Sequence, residues 1–279
     1  MHLCAENIET SLYQRSEFFE ELGFVLKYIY NTLASMKASK SIEMRRPIKE
    51  DIVKMFELSL SPSQIPNHLK YASMLVCTQQ YTRAEALLQQ VEGMISSDMI
   101  HVSINRPHTM LQAGAMHTTG VSSSTDILMR RVTRLLFDVA FKTVEISCMP
   151  GHLVFEMYRT GKQNERSASD RKHSWINNFA VEVCAKPFLH YLQYLSSKDV
   201  YAKQVALSKL IEYCNMEFYR NPGHFETTLN LVGHIYELEK RFPDACNTYI
   251  TSVKLVPQKN AAYWHLFRLL GNSIYCKLI

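Results

Sequence analysis

Large apolar residues recur at alternating three- and four-residue steps near the start of the chain, at Phe19, Leu22, Leu26, Ile29, Leu33 and Met36. That rhythm predicts one long amphipathic helix from roughly Leu12 to Lys37. The steps are also those of a coiled-coil seam. The run covers under three heptads and lacks consistent flanking charge pairs, so packing against the next helix is the expected use of the stripe. Pro47 then opens a short helix from Ile48 to Leu60, which ends before the turn residues SPSQIP.

The pattern is most specific from His224 to Pro257. Counting from Glu226, the residues Leu229, Val232 and Tyr236 fall on one helical stripe with Gly233 inside it. Ala245, Tyr249, Ser252 and Val253 form a second stripe, opened by Phe242 and closed by Pro257. Gly233 and Ala245 lack bulk where the two helices would cross, so the backbones can approach to the short end of the roughly 8 to 10 Å range. These residue types at this spacing resemble a tetratricopeptide repeat, a helical hairpin of about 34 residues. Asn67 to Met94 repeats the pattern in weaker form. Placing Tyr81 on Phe242 also places Ala84 on Ala245, Leu88 on Tyr249, Val91 on Ser252, Ala72 on Gly233 and Leu75 on Tyr236. His68 stands where a large apolar residue is usual, and no proline closes this unit.

Between the two units the character changes. Ser96 to Asp126 is rich in Ser, Thr, His and Met and has no period, which predicts a polar linker. Its His101, His108 and His117 match no metal-ligand spacing and are expected to be solvated. A helix is predicted on Leu128, Val132, Leu135, Leu136, Val139, Thr143 and Ile146, stopped by the Met149 to Gly151 turn, and a second polar loop follows Tyr158. Three more helices are predicted from Trp175 to Cys184, Pro187 to Leu195 and Asp199 to Met216, the last capped by Asp199 with Val200, Leu207, Leu210, Ile211 and Cys214 buried. A final helix from Asn260 to Cys276 is expected to bury Tyr263, Phe267, Leu270 and Ile274 and to offer His265, Arg268 and Asn272 on another face.

The resulting expectation is an all-α chain, a tetratricopeptide-like α-solenoid of antiparallel helical hairpins. Residues 1–96 form an N-terminal helical region with one degenerate repeat, 97–126 a linker, and 127–279 a C-terminal repeat domain with its clearest unit at 226–257. Only 9 glycines and 9 prolines punctuate 279 residues, which favours long helices, and 47% hydrophobic residues suffice for a core. Seven dispersed cysteines without a CxxC pair read as reduced thiols, and no signal sequence or membrane span is evident, so a cytoplasmic protein is expected. A formal charge of +5 permits a nucleic-acid partner without demanding one.

The run from RKHSWINNFAVEVCAKPFLHYLQYL through YAKQVALSKLIEYC and GHFETTLNLVGHIYELEKRFPDACNTYITSVK to NAAYWHLFRLL also resembles the C-terminal helical region of bivalve mollusc proteins of the Mab-twenty-one family, which is related to cyclic GMP-AMP synthase. The resemblance covers roughly residues 171 to 272 and implies a nucleotidyltransferase-fold module ahead of it. The Gly-Ser turn and Glu-x-Asp pair such a module needs to hold two metals are missing, as are a P-loop, a GxSxG elbow and an HExxH helix. Neither catalytic residues, a metal nor a cofactor is therefore expected. The leading expectation is a non-enzymatic scaffold that meets a protein or peptide through Asn230, His234 and Glu237, joined by His265 and Arg268. The Lys and Asn pattern that clamps a peptide carboxylate is lacking. The alternative is a C-terminal fragment of an innate-immune nucleotidyltransferase-fold protein, with Arg130, Arg134, Lys162, Arg166 and Lys172 contacting double-stranded nucleic acid.

Overall fold

The computed structural model describes residues 2–96, 99–102, 135–159, 180–217 and 224–275, with the side chains of the first helix described from Leu22 onward. Most of these residues are helical. In chain order the helices are α1 (His2–Glu43), α2 (Glu50–Ser59), α3 (Ile65–Cys77), α4 (Tyr81–Met94), α5 (Val154–Met157), α6 (Ala185–Ser196), α7 (Val200–Glu217), α8 (Phe225–Leu238), α9 (Phe242–Leu255) and α10 (Ala262–Tyr275). Short 3-10 segments at Thr143–Cys148 and Gly151–Leu153 precede α5. From α6 onward each helix packs on the next in sequence, and α6 also packs on α3 and α4. One continuous apolar core runs from Ala34 to Ile235, and a smaller one gathers around Ala245, Tyr249 and Ala262.

The chain is not purely helical. β1 (Ile100–Val102) pairs in parallel with β2 (Leu135–Phe137), and β3 (Val139–Lys142) pairs antiparallel with β4 (Ala180–Val183). Three expectations are corrected here. The start of the expected linker is a strand; the helix expected through Leu135 to Ile146 is two strands and a 3-10 segment; and 180–183 is a strand, not helix. Leu136, Val139, Phe141, Val181 and Val183 are all buried, and along β3 and β4 the burial alternates with period two. Residues 103–134 and 160–179, including His108 and His117, lie outside the described residues.

The two hairpins α3–α4 and α8–α9 share their turn down to the hydrogen bonds. Gln79 and Lys240 both sit in the left-handed region at φ 60°. The next amide reaches back to the carbonyl of Leu75 in one turn and Tyr236 in the other, both at 2.8 Å. This is the six-to-one bond of a Schellman turn, which satisfies the carbonyls left free at a helix end. Every equivalence made on the sequence, Tyr81 with Phe242 and Ala84 with Ala245 included, follows from this one register. Ala72, Ala84 and Ala245 are fully buried, as are Leu88 and Tyr249. Leu229 and Val232 are buried too, Tyr236 is half-buried, and Phe242 and Pro257 are exposed.

Two helices bury the opposite face from the one their large apolar residues predict. In α1 the buried face is Asn31, Ala34, Ser35, Ala38 and Ser39, while Leu22, Leu26, Ile29, Leu33 and Met36 are each 36–44% exposed. The small face lies close against the 3-10 segment and is hydrogen-bonded to it: the Ser147 amide donates to Ser39 Oγ at 3.1 Å and the Cys148 thiol to the Ser35 carbonyl at 3.2 Å. Asn31 Nδ2 bridges Ser59 Oγ and the Asn67 carbonyl. In α10 the buried residues are Ala262 and His265, while Phe267 is 75% exposed and Tyr263 and Leu270 are also exposed. Val200 at the head of α7 is likewise exposed, although Leu207, Leu210 and Cys214 are buried as expected and Asp199 Oδ2 accepts the Ala202 amide at 2.8 Å.

At the α8–α9 crossing a Cβ placed on Gly233 would lie 2.5 Å from Cε1 of Tyr249. That ring is fully buried and its hydroxyl is anchored on Glu237, so it has little room to yield. Gly233→Ala should therefore destabilise the fold by about 1 to 3 kcal/mol, although alanine is the better helix former by about 1 kcal/mol. In chemical denaturation, Tyr249→Leu should restore most of the loss in the double variant. Additive losses would contradict the clash.

Candidate functional site

The five residues expected to meet a partner do come together, on facing sides of α8 and α10. What joins them is a residue the sequence gave no reason to include. His152, in the 3-10 segment after the Met149 to Gly151 turn, inserts its ring between those of His234 and His265. The three imidazoles form a column, with centroids 4.0 Å apart for His152 and His234 and 3.8 Å for His152 and His265, and planes within 13° and 10°. Tyr249 extends the column at 4.9 Å from His265. Nε2 of His152 donates to the Asn230 carbonyl at 3.1 Å, and the Tyr191 hydroxyl bonds to His234 Nδ1 at 2.7 Å.

Around the column the polar groups are tied to one another. Glu237 Oε1 accepts both the Tyr249 hydroxyl and Arg268 Nη2, each at 2.6 Å. Asn230 Nδ2 donates to Glu156 Oε1 at 2.8 Å, and Glu156 pairs with Arg159, which also holds Glu226 at 3.0 Å and Thr227 at 2.7 Å. Asn260 binds Ser252 and the Val256 carbonyl and caps α10 through the Ala262 amide at 2.9 Å. Asn230 and His265 are buried, so these two of the five residues expected to meet a protein or peptide do not face solvent. They hold helix to helix. His234 and Arg268 are only partly enclosed, and His234 lines a cleft of about 390 Å³ with Val76, Cys77, Tyr81, Met149 and Tyr191.

The chain was compared with protein-family models, curated proteins and solved structures. No family model, curated protein or solved structure matches it. Function must accordingly be read from the chain's own geometry. Of the residues expected to contact nucleic acid, Arg130, Arg134, Lys162, Arg166 and Lys172 all lie outside the described residues. No helix among the described residues is long and apolar enough to cross a membrane.

His152, Glu237 and His265 place ligand atoms within 4.8 Å of one another. A cation there meets two obstacles: the lone pairs of stacked rings lie in parallel planes and do not converge, and Arg268 already occupies the carboxylate. Burial is the larger reason that all three imidazoles are held neutral. It lowers His152 well below 6.5, and together with the Arg268 charge brings His265 to about 3. His234 is lowered to about 4 by burial and Arg268, against the opposing pull of Glu237.

In the unfolded chain these groups protonate near pH 6.5; in the folded one they do so only at lower pH. The stability tied to the neutral column is thus fully present above about 6.5 and is lost as pH falls toward 4. Each imidazole adds up to about 1.4 kcal/mol per pH unit to the slope. Denaturation at a series of pH values should show this acid loss. His265→Gln should lower stability at pH 7.5 and flatten the slope by close to one proton. An unchanged slope in that variant would contradict the assignment.

Proposed function

We propose that this chain is a non-enzymatic protein–protein interaction scaffold, built from tetratricopeptide-like hairpins stacked as an α-solenoid, and that it associates with a second copy of itself through the outward stripe of α1. The shared Schellman turn of the two hairpins and the packing of each helix from α6 onward on its successor support the solenoid reading. The tying of Glu156, Glu237, Asn230 and Asn260 to internal partners supports a structural over a catalytic role for the polar cluster.

The observation that carries the self-pairing is the solvent-facing stripe Leu22, Leu26, Ile29, Leu33 and Met36. Its steps of four, three, four and three are those of a coiled-coil seam, and the opposite face of the same helix is already held by the core. Such a stripe is self-complementary. At 42 residues α1 is about 63 Å long, enough for an extended seam. Charge leans toward an antiparallel couple: in the sequence of α1 glutamates fall at 6, 9, 17, 20 and 21 and lysines at 27, 37 and 40, with Arg15 and Glu43 against the trend, so reversing one helix sets a mostly acidic end against a mostly basic one. Leu26 of one copy then packs opposite Ile29 of the other, and Leu22 opposite Leu33.

Light scattering coupled to size exclusion should return the mass of a dimer. Leu26→Glu together with Leu33→Glu should weaken the dimer on the order of a hundredfold or more while leaving helicity intact, because both sites face away from the core. A wild-type monomer at all concentrations, or a double variant that still dimerises, would overturn the reading. A heterologous partner on this face would give the first of those results.

A further inference from the structure

The two strand pairs and the head of α8 meet at a second polar centre, distinct from the histidine column. The register of β3 with β4 sets Val139 opposite Val183, so Asp138, between β2 and β3, lies across from Cys184. β1 carries His101 beside Leu136 of β2. His224, the residue before α8, takes the left-handed conformation at φ 49° and ψ 33°. Its Nε2 thereby comes within 3.5 Å of Asp138 Oδ2 and 3.2 Å of Glu182 Oε2. His101, expected to be solvated, is only 13% exposed at its side chain and donates from Nε2 to Asp138 Oδ1 at 2.5 Å.

We infer that His101, Asp138, Cys184 and His224 form a structural zinc site, with Glu182 as a second carboxylate at its rim. Among the described residues the ligand atoms of His101, Asp138 and Cys184 lie within 4.8 Å of one another, and so do those of Asp138, Glu182 and His224, with Asp138 common to both groups. Two imidazoles, a thiolate and a carboxylate are a donor set suited to zinc, whose bonds of about 2.0 to 2.3 Å put tetrahedral ligands roughly 3.3 to 3.8 Å apart. The His224 contact with Asp138, at 3.5 Å, already has that span, and the two triads must close on their shared carboxylate for all four ligands to converge. His101 must draw back from Asp138 by about an ångström to match it.

Charge points the same way. Asp138 and Cys184 are wholly buried, and Oδ2 of Asp138 accepts no hydrogen bond. A second carboxylate, Glu182, is close by, and the nearby Arg159 is engaged by Glu156 and Glu226. A divalent cation would take over the compensation that His101 and His224 now give these carboxylates, freeing both imidazoles to bind as neutral ligands. Cys184 binds as the thiolate, and its proton leaves to solvent. A cleft of about 300 Å³ lined by Phe24, Val25, Tyr28, Pro66 and Phe137 reaches Asp138 and offers a way in. Four segments distant in sequence are then stapled at one point, where three- and four-residue strands have few bonds of their own. Four protein ligands would leave no open position on the metal, which makes this a structural site and not a catalytic one.

The full chain, stripped with a chelator and titrated with cobalt(II), should take up about one equivalent and show the near-ultraviolet thiolate-to-cobalt charge-transfer band. Cys184→Ser should abolish that band. Asp138→Asn should weaken zinc binding, measured against a chromophoric chelator, on the order of a hundredfold or more. His265→Gln, in the histidine column, should leave stoichiometry and band unchanged. Wild-type protein with no cobalt band overturns the inference without recourse to any variant. A band that survives Cys184→Ser, or one lost with His265→Gln, overturns it as well.

Discussion

Close approach of helices at small side chains is the constraint on which this structure turns. Gly233 lies flat against the Tyr249 ring, and Ala72, Ala84 and Ala245 are buried at equivalent places in the two hairpins. The same demand selects the faces of α1 and α10. In α1 a row of Ala, Ser and Asn is enclosed and a row of larger apolar residues is left outside; in α10 Ala262 and His265 are enclosed with Leu266 and Leu269 beside them, and Tyr263, Phe267 and Leu270 are left outside. Packing density explains the choice, since small residues let backbones and 3-10 segments meet closely enough for hydrogen bonds such as those of Ser39 and Ser35. The larger stripe of α1 is then available for association.

Close packing brings polar groups inside, and they are accommodated by two centres. In one, His234, His152, His265 and Tyr249 stack as neutral rings, with Glu237 and Arg268 paired at their edge. In the other, Asp138 gathers His101 and His224. Arg159, bound to Glu156 and Glu226, lies between them. Another buried pair, Lys70 with Glu145 at 2.5 Å, fastens α3 to the 3-10 segment that α1 covers. Unpairing any of these charges leaves its partner buried alone, which is why such centres hold elements in a fixed relation.

The hairpins were legible because their signal is local. One shift of register aligned six pairs of positions, and the turns of both hairpins carry a left-handed residue, Gln79 or Lys240, at the same place and the same back-bonds. The Asp199 cap was legible for the same reason. The strands were not: LLFDVAFK supports a helical count as readily as an alternating one, and only pairing with distant 100–102 and 180–183 decides it. Hydrophobic size misassigned α1, where a rival stripe of small residues with the same spacing wins, and α10, where the face of Ala262, His265, Leu266 and Leu269 wins over that of Tyr263, Phe267 and Leu270. Helical spacing placed Asn230, His234 and Glu237 on one face of α8 and His265 and Arg268 on one face of α10, and these faces meet; the burial of Asn230 and His265 was hidden because His152, which stacks between His234 and His265, comes from a segment without periodicity.

The most direct test compares two substitutions by equilibrium denaturation, Ala38→Leu on the enclosed face of α1 and Phe267→Ala on the open face of α10. If close approach at small residues governs the packing, adding bulk at Ala38 costs about 1 to 3 kcal/mol while removing the Phe267 ring changes stability by less than about 0.5 kcal/mol. A large loss at Phe267 beside a neutral Ala38→Leu would contradict it.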